Sequence, residues 1–300
     1  MNIAYIISAY HKPELLVRLV RRLYGPATSI FIHVDAKTPD RSYNAMADPL
    51  ADLSNVQFLD RHECHWGDFG HVRATIKGLR AVLASNRPFD YVVLLTGQDY
   101  PLKSNAEIEA TLRASGGKVH MHYQRIPNKN WENGGMDRIE NWHFRVGGRS
   151  LSFPGTPFQH VWMNAAWSWP ARSFQLRRSF PRGIQPYGGS SYWIMPAQCV
   201  SYVDAFVRDN PDFVSFFKYV HVPDEIFFHT IILNSSFSDL VVTETPHYVD
   251  WSRGESHPKV LTTEDFEKLM QSEKLFARKF DPEVDERILE RIDERIAAGL

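Results

Sequence analysis

The chain lacks several features that would each point to a function class. Cys64 and Cys199 are its two cysteines; they cannot build a disulfide framework, and their spacing makes no metal knuckle. Free thiols fit a reducing compartment. Neither sign of charge is in excess: 34 Lys and Arg stand against 35 Asp and Glu, a net charge of −1. That argues against a general nucleic-acid binder, which shows a basic surplus. No apolar run is long enough for a transmembrane helix. The opening stretch MNIAYIISAYHKPELL is only briefly apolar and lacks a signal-peptide cleavage pattern. It reads as a first strand, with the cytoplasm as the expected location.

Motifs are missing too. No G-x-G-x-x-G follows the first strand, and there is no Walker loop or Gly-x-Ser-x-Gly elbow. Dinucleotide oxidoreductases, P-loop enzymes and serine hydrolases therefore lose support. Asp-x-Asp, the usual carboxylate pair holding Mn²⁺ or Mg²⁺ on a nucleotide-sugar diphosphate, occurs nowhere.

What remains is globular: 43% hydrophobic and 13% aromatic residues, including eight Trp, over a length that suits one α/β domain. The aromatics are explained more simply by a generous core than by sugar or base stacking. Strands are expected at Ile3–Ala9, Ser29–Val34, Val56–Leu59 and Tyr91–Leu95. Helices are expected at Pro13–Tyr24, where Leu15, Leu16, Leu19, Val20 and Leu23 recur at helical spacing, and at Val72–Leu83. This alternation predicts a mostly parallel sheet with helices on both faces. Ligands bind beyond the carboxyl ends of such strands, where Asp35 and Asp99 fall. From Gln124 to Gly189 periodicity fades, yet Trp131, Trp142, Trp162, Trp167 and Trp169 cluster there, which suits loops and short helices forming an acceptor wall rather than disorder. A strand at Ser191–Met195 follows, then helices at Ala197–Arg208, Phe213–Val220 and Asp224–Leu233, and a charged amphipathic one at Glu283–Ala298.

Three clusters offer chemistry. In Val222-Pro-Asp-Glu-Ile-Phe-Phe-His-Thr230, Glu225 would stand at a helix start beside apolar residues; spacing alone makes it a capping carboxylate. In Lys274-Leu-Phe-Ala-Arg-Lys-Phe280, Arg278 and Lys279 form either a solvated basic turn or a cationic site that neutralises a diphosphate in place of a metal. Lys259 offers a third positive charge. His62-Glu-Cys-His65, followed by Trp66-Gly-Asp68, invites a zinc reading. Ligands three apart need a helix or tight turn to converge, and no second His/Cys pair follows, so no metal site is expected.

The ordered segments resemble one family. IAYIISAYHKPELLVRLVRRLY, IFIHVDAK, HWGDFGHVRA, VVLLTGQDYPLKSNAEI, GGSSYWIMPAQCVSYV, PDEIFFHTIILNS, HPKVLTTEDF and LFARKFDPEVD are similar, in that order, to segments of the core-2/I-branching β-1,6-N-acetylglucosaminyltransferases and the peptide O-xylosyltransferases. The likeness covers nearly the whole chain outside roughly 124–185. It implies a GT-A-type α/β fold, a UDP-sugar donor, inversion at the anomeric carbon and no metal or other cofactor. It implies one glycosyltransferase domain over 1–300, with a nucleotide-sugar half (1–123) and an acceptor and catalytic half (124–300).

By position, the resemblance makes Glu225 the general base, Asp35 the nucleoside-binding aspartate, and Lys279 with Arg278 the diphosphate cations. Trp66, Asp99, Ser191 and Lys259 join the expected donor site. Ser191 replaces an acidic residue of the xylosyltransferases, which tilts the donor towards UDP-GlcNAc and leaves UDP-xylose as the alternative. The eukaryotic members' membrane anchor and disulfide cysteines have no counterpart here. That suggests a bacterial, cytoplasmic version, at most peripheral at the inner membrane, whose acceptor is a growing glycan or lipid-linked sugar. Two rivals come from other classes: a catalytically silent nucleotide-sugar or glycan binder, and a metal-dependent hydrolase using His62 and His65.

Overall fold

The computed structural model describes residues 1–146, 148–153, 177–254 and 257–299. Its centre is a seven-stranded sheet among the described residues, built from β1 (Ile3–Ala9), β2 (Thr28–Val34), β3 (Val56–Phe58), β4 (Tyr91–Thr96), β6 (Val119–Arg125), β9 (Tyr187–Pro196) and β10 (Val241–Val242). The strands lie in the order β10-β6-β9-β4-β1-β2-β3. β1 pairs in parallel with β2 and β4, β2 with β3, and β10 with β6, while β9 runs antiparallel between β4 and β6. The expected mostly parallel α/β sheet is present.

Period-two alternation along β1 divides the core. Ile3, Tyr5, Ile7 and Ala9 join α1 (Pro13–Leu23) and the C-terminal helix α11 (Arg287–Ala297) in one apolar cluster. Ala4 and Ile6 join α3 (Gly70–Ala84) and α6 (Ala197–Asp209) in the other. Both faces are thus covered by helices, as the continuous apolar run of β1 requires. Leu15, Leu16, Leu19, Val20 and Leu23 of α1 are all fully buried, each contributing about 1.5–3 kcal/mol.

Several elements were not anticipated from sequence. They are α2 (Asp40–Ala47), β5 (Asp99–Pro101), α4 (Asn105–Ala114), β6, the short α5 (Met136–Glu140), the hairpin β7–β8 (Trp142–Val146 and Arg149–Phe153), β10, β11 (His247–Val249), α9 (Phe266–Gln271) and β12 (Phe276–Arg278), while the helix expected at Glu283–Ala298 is present as two, α10 (Pro282–Asp285) and α11. β12 pairs in parallel with β11 and antiparallel with β5, making a small second sheet. The expected helix at Phe213–Val220 is α7 (Pro211–Phe217), and the one at Asp224–Leu233 starts later, as α8 (Phe227–Leu233). Its first residues instead close a 3-10 turn, Pro223–Glu225. Trp162, Trp167 and Trp169 lie outside the described residues.

Candidate active site

The carboxyl ends of β1 and β2 set one end of the site. Asp35, the first residue beyond β2, donates its N–H to Ala9 O at 2.9 Å. Its carboxylate accepts from Lys37 N at 2.8 Å, Lys37 Nζ at 2.7 Å and Cys64 N at 3.4 Å. Burial raises its proton affinity, but Lys37 outweighs that and holds it below the ordinary aspartate value. Asp35 is thus an ionised acceptor at the end of a central strand, suited to polar groups of a ligand.

The segment 62–68 forms a wall from there. Cys64 meets Asp35 at one end, and Gly67 O accepts from Val222 N at 2.9 Å at the other. Gly67 has φ +79 and sits so close to His221 that a Cβ would lie 3.0 Å from Cε1, so glycine is required on both counts. Trp66 stands out between them, 74% exposed, with its ring edge-on to His221 at 5.4 Å. His62 and His65 do not converge: His65 Nε2 reaches Glu63 at 3.2 Å, whereas His62 Nε2 meets Gly70 O at 2.9 Å.

Glu225 ends the 3-10 turn, so it is not the helix cap that spacing suggested. The turn begins at Val222, a β-branched residue at φ 49, a strained conformation of the kind concentrated at functional sites. Arg138 Nη1 of α5 donates to Glu225 Oε2 at 2.6 Å, and its guanidinium lies 3.9 Å from the Trp131 ring centroid. Burial first, and Asp224 second, raise the proton affinity of Glu225; Arg138 opposes them without cancelling the rise. Asp224 in turn accepts from Ser191 Oγ at 2.8 Å. Ser191 lies where β9 bulges against β6: between the pairs Met121↔Trp193 and Tyr123↔Gly189 the register shifts. A bulge of this kind re-aims side chains.

The cations occupy the second sheet. Arg278 and Asp99 are register partners across β12 and β5, with Arg278 Nε 3.5 Å from Asp99 Oδ1. Asp99 is 0% exposed and also accepts from Thr96 N at 2.7 Å and Thr96 Oγ1 at 2.9 Å. His247 Nε2 lies 3.4 Å from its Oδ2. Burial works to raise Asp99, and Arg278 leads the groups that hold it below the ordinary range. Asp99 was expected among the donor contacts; it is instead sealed behind Arg278, which it orients. Tyr192 supplies the other face, its ring centroid 4.6 Å from the Arg278 guanidinium. Lys259 is committed to Asp265 at 2.6 Å, so it does not offer a free charge. Lys279 is half-buried and makes no side-chain hydrogen bond or ion pair among the described residues. Its charge is felt at His11, whose proton affinity is lowered first by burial and further by Lys12 and Lys279.

These contacts close into a ring. It runs from Asp35 through Cys64 and Gly67 to Val222 and Glu225, then through Asp224 and Ser191 to Tyr192, Arg278 and Asp99, and back by β4 and β1. Of the residues singled out from sequence, Asp35, Trp66, Asp99, Glu225, Ser191, Arg278 and Lys279 belong to it or border it, and Lys259 does not. Arg138, Asp224, Tyr192 and His247 were not foreseen as site residues. Tyr192 lies inside a quoted segment, and Asp224 is adjacent to the base; Arg138 falls where periodicity gives no signal.

An α/β enzyme with a half-buried carboxylate, Glu225, and two adjacent cations, Arg278 and Lys279, is the class that fold and site define. The Core-2/I-branching enzyme family model matches residues 3–272, and the chain belongs to that family, as a glycosyltransferase. A Bos taurus beta-1,3-galactosyl-O-glycosyl-glycoprotein beta-1,6-N-acetylglucosaminyltransferase is 25% identical over 98% of this chain and 69% of its own length. The Drosophila melanogaster xylosyltransferase oxt is 23% identical over 92% of this chain, and human xylosyltransferase 2 is 24% identical over 98%. The chain spans 31% and 33% of those two proteins. The apo crystal structure of mouse xyloside xylosyltransferase 1 covers 92% of this chain and 97% of its own, at 9% identity and a TM-score of 0.36. Among the described residues, no helix is long and apolar enough to cross a membrane.

Proposed function

We propose that the chain is an inverting β-glycosyltransferase that moves N-acetylglucosamine from UDP-GlcNAc to a hydroxyl of a glycan or lipid-linked sugar, in the cytoplasm and without a divalent metal on the diphosphate. The observation that carries it is Glu225, a carboxylate made more basic by burial and Asp224, in the same ring of contacts as Arg278, the neighbour of a Lys279 that has no ion pair among the described residues. In a single displacement the acceptor oxygen attacks the anomeric carbon as the bond to the UDP oxygen breaks. The hydroxyl proton passes to Glu225. UDP leaves with its charge met by Arg278, held between Asp99 and Tyr192, and by Lys279. Asp35 accepts hydrogen bonds from the nucleoside. The absence of Asp-x-Asp supports cations rather than a metal in this role.

UDP-xylose is the second donor reading, because xylosyltransferases stand among the relatives at comparable identity. A UDP-release assay over a panel of UDP-sugars separates the two. With the preferred donor, Glu225→Gln lowers kcat by about 10²–10⁴-fold, equivalent to about 2.7–5.4 kcal/mol, with donor KM little changed. Full activity in this variant would remove Glu225 from the role of base.

A further inference from the structure

The zinc reading of His62-Glu-Cys-His65 fails for His65, but the fold brings a different histidine to the same place. His33, near the carboxyl end of β2 and 1% exposed, puts Nε2 at 2.9 Å from His62 Nδ1. Cys64 Sγ lies 3.6 Å from His62 Nε2. One donor atom from each of these three residues fits within 4.8 Å of the others. Tetrahedral zinc with Zn–N about 2.0–2.1 Å and Zn–S about 2.3 Å separates its donors by roughly 3.3–3.6 Å, so this cluster needs only small adjustments.

We propose that His33, His62 and Cys64, through one donor atom each, bind one Zn²⁺, which clamps the segment 62–64 onto β2. His62 Nε2 also faces Gly70 O at 2.9 Å, and His62 N lies 3.3 Å from His33 Nε2, so the two rings are already held together where the segment leaves β3. Zn²⁺ would take Cys64 as the thiolate, the thiol proton leaving to solvent as the Zn–S bond forms. His62 also lines a cleft of about 1310 Å³, which gives the ion a route in and water for its fourth position.

The site's purpose follows from its neighbours. The Cys64 N–H touches Asp35 Oδ2, and Cys64 O accepts from Lys37 Nζ. An ion on Cys64 therefore fixes the main chain against the carboxylate expected to meet the nucleoside. It is a structural metal, away from Arg278 and Lys279, and the inference does not depend on the donor assignment.

The test is a titration of the full chain, stripped with chelator, with Co²⁺ and then Zn²⁺. One ion per chain is expected, with a thiolate-to-cobalt charge-transfer band that Zn²⁺ abolishes. Loss of an outer-shell partner alone weakens metal binding about 10–100-fold, so Cys64→Ser and His62→Ala should each lose at least ~100-fold, while His65→Ala binds like wild type. Zn²⁺ should raise the Tm of wild type and leave that of Cys64→Ser unmoved. Wild type without the band, a band that survives Cys64→Ser, or a loss in His65→Ala equal to that in His62→Ala would each overturn the site. If a variant fails to fold, the wild-type spectrum still decides.

Discussion

Gly188 is the sharpest place to perturb the base without touching it. It lies on β9, and a Cβ there would sit 2.5 Å from Trp131 Cη2, 2.9 Å from Trp131 Cζ3 and 3.1 Å from Glu225 O. Ordinary contact needs about 3.5 Å, so Gly188→Ala must push the indole back by roughly 1 Å. Trp131 carries the Arg138 guanidinium, and Arg138 holds Glu225. Overpacking of this kind costs about 1–3 kcal/mol of stability, and a misplacement of about 1 Å at a reacting group costs up to ~10²-fold in rate. The expected result is a Tm lower by a few degrees and kcat lower by about 10–100-fold. UDP affinity by calorimetry should be unchanged, because Arg278 and Lys279 lie on the other sheet. Trp131→Phe removes the benzo ring that carries both clashing atoms. Gly188→Ala should therefore cost much less in that background, a non-additivity expected of contacting residues. Additive effects, or full kcat in Gly188→Ala, would refute the chain of support from β9 to the base.

The acidic limb of kcat/KM reports ionisation of Glu225, because the base must be deprotonated to work. Arg138 favours the carboxylate and Asp224 opposes it, so Arg138→Met moves that limb to higher pH and Asp224→Asn moves it lower. A pH–rate profile in which both variants shift the same way would break the assignment. At the cation end, Tyr192→Ala removes the ring beneath Arg278; a cation–π contact of about 0.5–2 kcal/mol translates into roughly 2–30-fold weaker UDP binding by calorimetry. Added Mg²⁺ or Mn²⁺ should leave the transferase rate flat, whereas a strong rise would return the diphosphate to a metal. That measurement is blind to zinc at His33, His62 and Cys64.

The alternation of the first third was legible because β1, β2 and β4 are buried along nearly their whole length and α1 carries one apolar stripe. Ile3–Ala9 is a strand with the predicted limits, and the other early boundaries moved by only a few residues. α4 was missed although its signal was present: Ser104 and Glu107 form a reciprocal capping box, and the pattern precedes Ile108 and Leu112, which are buried. The three-residue strands β5 and β12 are different. A single alternation of three residues has no period, and they are strands only because β12 pairs with β5 on one side and with β11 on the other.

The site divides along the same line. A carboxylate after Pro-Asp, an aspartate beyond a strand end and two adjacent cations are local, so their residue types were enough to mark them as candidates. What each is bonded to is not local. Asp99 and Arg278 were each picked out as a ligand contact, yet the register of β5 on β12 makes one the support of the other. Ser191 was weighed as a donor contact, and a bulge turns its hydroxyl to Asp224. Arg138 gave no signal, because it reaches Glu225 from a helix of five residues in a segment without periodicity. His65 was a more obvious partner for His62 than His33, since it is close in sequence, but adjacent parallel strands and the return loop put His33 there instead. For Asp99, Arg278 and Ser191 the missing information is strand register. Register is set jointly by both partners, so the segments that bear the chemistry do not contain it singly.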